Sequence, residues 1–404
     1  MTDSLKMLLD AAFSNKDVWD ADVDIHTEKE RCDKYNLQYN NRTTRRRIFW
    51  GSLVADDSWH VIGIAAMEAY GIFDTVALVE SNTTQMLYPR KIRFGLDSGR
   101  LKVLQQGALW GPHTRVTVDY YYDVPAMEGE SQPKGLGREH LQRGMILERW
   151  KQNGMKEDDI GYLSDLDEVA TRDFLRALQI CDVPEFRPGQ DCKEAKVRAS
   201  TIVFEGSPMC IQKGRRLWHP DMIIGECVDK IGDIKLHKPV PRPLDGLGRK
   251  ARISNWTQMN ETMGPLWDAT DFRMLGGGSM LQGRNGEHTG YHFHNFFDSI
   301  AVLRNKYLTY GHPKGGALEI PLGELHSEDV GFMVDCLMNR TEEDNKYERA
   351  PGGWKSLGEE LVPIAFKHVS LYPQVRHQEF QQLMAADEKL HPPNRTIEHP
   401  PKGQ

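Results

Sequence analysis

Short apolar runs alternate with longer amphipathic ones along this chain, and their order predicts a layered α/β protein. Arg47-Ile-Phe-Trp50 is a strand candidate followed by Gly51. Trp59, Ile62, Ala66, Met67 and Tyr70 then recur at helical spacing, and Gly71 ends the helix. Thr75-Val-Ala-Leu-Val79 is the next strand, rich in branched residues, and it runs into Glu80-Ser81-Asn82. Strand, helix and strand over roughly thirty residues make a βαβ unit and therefore a parallel pair. Ligands of such sheets bind beyond the carboxyl ends of the strands, which is where Glu80 falls.

The same alternation continues. Leu141, Met145, Ile146 and Trp150 describe an amphipathic helix that stops at Asn153-Gly154. Ile160-Gly-Tyr-Leu163 is an apolar run that ends abruptly at Asp165, Asp167 and Glu168. Thr171 is placed to cap a helix whose apolar face is Phe174, Leu175 and Leu178. Residues 131–137, 185–198 and 228–250 read as loops rich in Pro, Gly or charge, and Met274–Gly278 is dense in glycine. Leu325–Leu337 and Leu361–Leu371 read as helical or mixed. The domain reading is a polar, stem-like segment over 1–44 with one amphipathic piece near Leu5–Phe13, one large domain over 45–390, and a Pro-rich disordered tail over 391–404.

Composition narrows the class. A chain of 404 residues, 39% hydrophobic and 27% charged, is an ordinary soluble globular protein. A net charge of -7 implies no broad positive field, which argues against a nucleic-acid partner; Arg45-Arg46-Arg47 reads as a solvated strand start. No stretch reaches the apolar length of a membrane span, and the first residues carry no signal-peptide core. Taken literally, that is a cytoplasmic chain. Asn-Xaa-Thr sequons at Asn41, Asn82, Asn255, Asn260, Asn339 and Asn394 argue instead for a lumenal protein whose anchor is missing from this chain. The six cysteines form no CxxC pair, against a structural zinc. They fit either one or two disulfides, with Cys181 and Cys192 closing a short loop, or free buried thiols.

Two stretches carry candidate chemistry. Strand periodicity puts Asp165 and Asp167 on the same side of the chain at a strand's end. Two hard oxygen ligands without an intervening Lys or Arg suit a divalent cation held against a diphosphate; such triplets also occur on solvated loops. In Glu287-His-Thr-Gly-Tyr-His-Phe-His-Asn-Phe-Phe297, a strand would put His288, His292 and His294 on one face, either as metal ligands or as rings that only pack and hydrogen-bond. Gly290 would let the backbone approach a ligand closely.

Glu80-Ser-Asn-Thr-Thr, Ser164-Asp-Leu-Asp-Glu-Val-Ala-Thr-Arg-Asp173 and Gly290-Tyr-His-Phe-His-Asn-Phe-Phe297 occur in that order. Together they resemble the signature blocks of the bisecting N-acetylglucosaminyltransferase family, V-E-S-N-x-T, D-x-D-E-I-P-x-R and G-W-H-x-S-x-x-F, and Leu303–His312 resembles the segment that follows. The resemblance runs from about Arg47 to Pro313. The chain departs at Ala170, where the family has Pro, at Tyr291, where it has Trp, and at His294, where it has Ser; these changes bear on acceptor choice more than on the core chemistry.

The resemblance implies a GT-A-type fold, with a mixed, largely parallel central sheet flanked by helices. It implies Mn2+ or Mg2+ held by Asp165, Asp167 and His292, with Asp165 near the ribose or the metal and His292 completing the metal shell or touching the diphosphate. Glu80, Ser81, Asp165, Glu168 and Arg172 would serve the nucleotide sugar; a purely structural salt bridge at a helix start is the alternative for Arg172. The reaction implied is inverting transfer of N-acetylglucosamine from UDP-GlcNAc to an N-linked, mannose-containing glycan acceptor, with Asp167 and a carboxylate base, Glu287 or else Asp298, as the catalytic groups. A metal-dependent phosphoesterase and a non-catalytic carbohydrate-binding protein are the alternatives, and Golgi lumen is the implied location.

Overall fold

The computed structural model describes residues 3–14, 27–40, 42, 44–55, 59–122, 136–192, 194–228, 278–284, 286–297, 299–310, 347–349 and 372–390. The segments 325–337 and 361–371 and the tail 391–404 lie outside the described residues. In chain order the first strands are β1 (Gln38–Tyr39), β2 (Ile48–Val54), β3 (Phe73–Ser81), β4 (Arg115–Tyr121), β5 (Ile160–Leu163), β6 (Glu168–Ala170) and β7 (Cys181–Asp182). The rest are β8 (Lys196–Ala199), β9 (Thr201–Glu205), β10 (Ser207–Leu217), β11 (Asp221–Ile224), β12 (Ser279–Leu281), β13 (Gly290–His294) and β14 (Tyr347–Arg349).

Among the described residues two large sheets and a small antiparallel β1–β7 pair make a mixed α/β architecture. The larger has the order β12-β8-β11-β5-β2-β3-β4. Its β5-β2-β3-β4 half is all parallel, as the βαβ pattern predicts, and β11 runs antiparallel to both its neighbours. Buried on both faces, β2 and β3 read as near-continuous apolar runs. The second sheet, β14-β10-β9-β13-β6, is antiparallel except for β13 beside β9. The largely parallel expectation therefore holds for the first sheet and not for the second. Crossover helices announce parallel pairs in sequence; the second sheet is joined by tight turns and strand exchanges, which leave a weaker pattern. The chain passes from one sheet to the other after β5, after β6 by way of β7, and after β8, β10 and β12.

Helices cover both faces of the first sheet. The helix Trp59–Glu68 is buried from His60 to Glu68, because the helix Asp3–Ser14 packs outside it, with Leu8 against Gly63. That corrects the stem-like reading of 1–44 where this segment is described. Leu5 and Leu8 are core residues, and the short helix Glu28–Lys34, closed by a Thr27/Glu30 capping box, buries Cys32. Cys32 is bonded to Cys181 and Cys192 to Cys227, so the expected Cys181–Cys192 loop is not the pairing. Cys210 is disulfide-bonded as well.

On the other face lies the helix Leu136–Gln152, seated on Gly51 and Gly161 of adjacent strands. A Cβ at Gly51 would stand 2.0 Å from Ile146 Cγ2, and one at Gly161 would stand 2.5 Å from the Trp150 ring. The two glycines form the trough that takes Ile146 and Trp150, and the Trp150 indole closes it by donating to the Trp50 carbonyl at 3.2 Å. Gly51→Ala should therefore cost about 2 kcal/mol by overpacking. In a denaturant-unfolding cycle the cost should shrink in an Ile146→Ala background; equal losses in both backgrounds would mean the trough is not formed by this contact.

Candidate functional site

The acidic residues sit in a turn, not on a strand. β5 ends at Leu163 and β6 begins at Glu168, so Asp165 and Asp167 lie on the connection between the two sheets. The turn is clamped from every side. Trp50 Nε1 donates to Ser164 Oγ at 2.7 Å, and the Ser164 N–H donates to the Gly51 carbonyl. One Glu168 carboxylate oxygen accepts the Asp165 N–H at 2.8 Å, while the Glu168 N–H donates to the Asp165 carbonyl. The Tyr162 hydroxyl donates to the Glu168 carbonyl at 2.9 Å and accepts the Ala170 N–H at 3.0 Å. Finally, Phe293 N–H donates to the Asp167 carbonyl at 2.7 Å. Strand alternation thus gave the right neighbourhood for the wrong reason, since the turn brings both carboxylates forward.

These residues face a cavity of about 400 Å³. Its walls are the ends of β2 and β3 (Leu53–Ala55, Ser81, Thr83), the acidic turn, His292 and His294 of β13, and the helix Ile300–Thr309. This is the carboxyl edge of the parallel half of the sheet. The β6–β13 register puts His292 opposite Glu168, which carries its imidazole to Asp167; Nε2 and Oδ2 are 3.3 Å apart. Burial pushes the Asp167 carboxyl up, but His292, with Lys306 behind it, outweighs this and holds it below the usual range. For His292 the balance is the mirror image: burial pulls the imidazole down, and Asp167 together with Glu168 and Glu205 raises it above its ordinary value. Asp165, nearly half exposed, is paired to Arg143 at 2.5 Å, and Arg143 also takes Glu139 one helical turn away. His294 Nδ1 bonds the buried Glu205 carboxylate at 2.9 Å.

Other predicted residues lie nearby in different roles. Ser81 lines the cavity and its hydroxyl receives the Thr83 N–H and an Arg138 guanidinium N–H. Glu80 is fully buried behind that wall, its two oxygens accepting the backbone N–H groups of Arg93 and Phe94 at 2.7 and 2.9 Å. It braces the loop that carries Arg90. Glu168 is spent on the turn. Arg172 is directed away from the cavity: its guanidinium donates to the Tyr70 carbonyl and its N–H to Glu68. Glu287 packs its carboxylate over Gly283, and His288 bonds Ser200 at 3.4 Å; neither is among the cavity-lining residues. His288 precedes β13, so it does not share the face of His292 and His294. The close approach that Gly290 permits is to strands, since a Cβ there would meet the Val169 carbonyl at 2.8 Å and Thr201 at 2.9 Å. Asp298 lies outside the described residues.

Sequence reasoning missed Arg90, Arg143, Glu205, Asn295 and Lys306. Asn295 and Lys306 left a signal, the first inside the Gly290–Phe297 block and the second inside Leu303–His312. Asn82, in the described sequon, is half-buried between the lining residues Ser81 and Thr83, with its backbone tied to Tyr121 and Arg90.

Among the described residues no three His, Cys, Asp or Glu side chains converge to enclose a metal ion by themselves. Asp167 and His292 together offer one carboxylate oxygen and one imidazole nitrogen. That set fits a dication whose remaining positions come from water and substrate phosphate, the usual situation for Mg2+ at nucleotide sites.

Residues 18–187 match the model of glycosyltransferase family 17, a span that includes β1 to β7 and the acidic turn and stops before the histidines. That is the family of the bisecting N-acetylglucosaminyltransferases, and the match supports the resemblance seen in the motifs. No curated protein sequence matches the chain. The matched domain makes this protein a glycosyltransferase.

Glu68 gives the site's foundation a pH dependence. Burial drives its carboxyl up to about 7, against the pull of the Arg172 N–H and guanidinium. A carboxyl raised from 4.5 stabilises the fold fully below pH 4.5, and that contribution is lost as pH rises through 7. The loss is about 3 kcal/mol. Glu68→Gln keeps an oxygen for Arg172 and should flatten the fall in stability between pH 5 and pH 8. Urea unfolding curves whose pH dependence parallels wild type would count against it.

Proposed function

We propose that the protein is a metal-dependent, inverting N-acetylglucosaminyltransferase of the GT-A type. It would take N-acetylglucosamine from UDP-GlcNAc and place it on a mannose-containing, N-linked glycan. The observation that carries the reading is the meeting of Asp167 and His292 at the carboxyl edge of a parallel sheet, in a cavity of about 400 Å³. The GT-A assignment is supported by the parallel β5-β2-β3-β4 half, the single reversed strand β11, and an acidic turn leaving β5.

In this reading Asp167 and His292 hold Mn2+ or Mg2+. The bound ion supplies positive charge where the diphosphate oxygen becomes negative as it leaves its sugar. The chain's own contributions are separable. Ser81 and Thr83, at the end of β3, and Arg90, on the loop that follows, offer donors to the nucleoside end. Arg143 keeps Asp165 oriented at the mouth. The acceptor hydroxyl must approach from the side opposite the leaving group and lose a proton, and a base has to stand on the cavity wall to receive it. Glu287, placed over Gly283, is not among the lining residues, and Asp298, the other candidate, lies outside the described residues next to the lining Phe297. The disulfides Cys32–Cys181 and Cys192–Cys227 support an oxidising, lumenal location such as the Golgi.

Calorimetry with UDP tests the reading. Wild type should bind UDP with Mn2+ present and lose about tenfold or more of its affinity with chelator. Asp167→Ala should bind weakly and equally in both conditions. Equal affinity of the wild type with and without chelator would remove the metal from the mechanism. A release assay across UDP-sugars should show turnover with UDP-GlcNAc above the others.

A further inference from the structure

Two cations on the cavity wall, Arg90 and Lys306, form no ion pair among the described residues, whereas Asp165 and Asp167 are each paired. Arg90 spends one nitrogen on the Val54 carbonyl at 3.1 Å. Lys306 is the more deliberately built. Its Nζ donates to Asn295 Oδ1 at 3.3 Å and stands over the rings of Phe297 and Tyr307, 5.1 and 5.7 Å from their centroids. Asn295 is fixed in turn. Its φ is 60°, in the left-handed region that few residues other than glycine adopt. Its amide nitrogen donates to Glu205 at 3.1 Å, and its oxygen also takes the Tyr307 hydroxyl at 3.0 Å. A lysine on a surface keeps its ammonium mobile in water. Here a buried amide and two aromatic faces hold the charge at the wall of a cavity, on the side of Asp167, whose carboxyl it helps to depress.

An oriented ammonium with no carboxylate partner among the described residues suits an anion brought by the substrate. We propose that Lys306 binds the diphosphate of the nucleotide donor, its ammonium meeting the β-phosphate oxygen that becomes the leaving group. This rests on the glycosyltransferase reading above. In the transfer, the bond between the anomeric carbon and that oxygen breaks and its electron pair stays on the oxygen. The acceptor hydroxyl oxygen forms the new bond to the same carbon, and its proton passes to a base on the cavity wall. Lys306 keeps its protons throughout and acts as a fixed charge. Lys306 and the Asp167–His292 pair line the same cavity, so one diphosphate would meet both.

The test compares UDP with UMP, which lacks the β-phosphate, on the full chain with Mn2+ present. Lys306→Met should bind UDP about tenfold or more weakly and bind UMP as wild type does. Lys306→Arg should recover most of the UDP affinity. Lys306→Gln, which keeps a polar end for Asn295, should behave as Lys306→Met, so a folding defect in one variant is exposed by the other. Unchanged UMP binding reports an intact site in each case. Wild-type UDP affinity in both neutral variants, or equal losses for UDP and UMP, would overturn the role of Lys306 alone. A wild type that binds UDP no better than UMP would overturn the diphosphate reading of the whole cavity.

Discussion

The connection between β5 and β6 is the constraint on which the rest depends. Within the few residues from Ser164 to Asp167 the chain leaves one sheet and enters another, so a carboxylate turn is formed where two layers meet. Trp50 and Tyr162 hold the turn from the first sheet, and Phe293 holds it from the second. The β6–β13 register then decides which imidazole stands beside Asp167. A shift of that register by one residue would turn His292 to the other face and bring Tyr291 forward. The site is therefore a product of strand pairing before it is a product of side-chain chemistry.

Charge is organised in opposed pairs around the cavity. Asp165 is matched by Arg143, Asp167 by His292, and His294 by Glu205. Each pair lowers the cost of keeping an ionisable group close to a partly dry wall. Among the described residues Arg90 and Lys306 stand apart from this scheme, bonded to a carbonyl and an amide oxygen instead of a carboxylate.

What could be read from the sequence followed from period and punctuation. The βαβ unit over 48–81, the helix ending near Asn153-Gly154, and the Thr171 cap all carry short-range signals, and each appears where expected. The neighbourhood of Asp165, Asp167 and His292 was legible because ordered motifs constrain one another. Individual roles were less so. Glu80, Glu168 and Arg172 have the residue types of a binding site and act as braces, since a buried carboxylate or guanidinium serves backbone groups as readily as substrate. Glu287 sits beside the histidines in sequence and turns away in space, because the Gly283–Glu287 turn redirects the chain before β13. The segment before residue 44 looked like a polar lead-in because its apolar residues are sparse, yet Leu8 fills the space over Gly63 and Leu5 is buried as well.

The repeated passage of the polypeptide between its sheets bears on how the enzyme can be divided. The acids arrive by residue 167, but the strand that gives β6 its partner and supplies the imidazoles begins only at residue 290. A fragment cut where the family likeness ends, at residue 187, would keep the carboxylates and lose the histidines, the lysine and β13, the strand partner of β6. Such long-range pairing is slow to form in folding, so the cavity that joins the acids to the imidazoles closes only once the chain beyond residue 290 is in place.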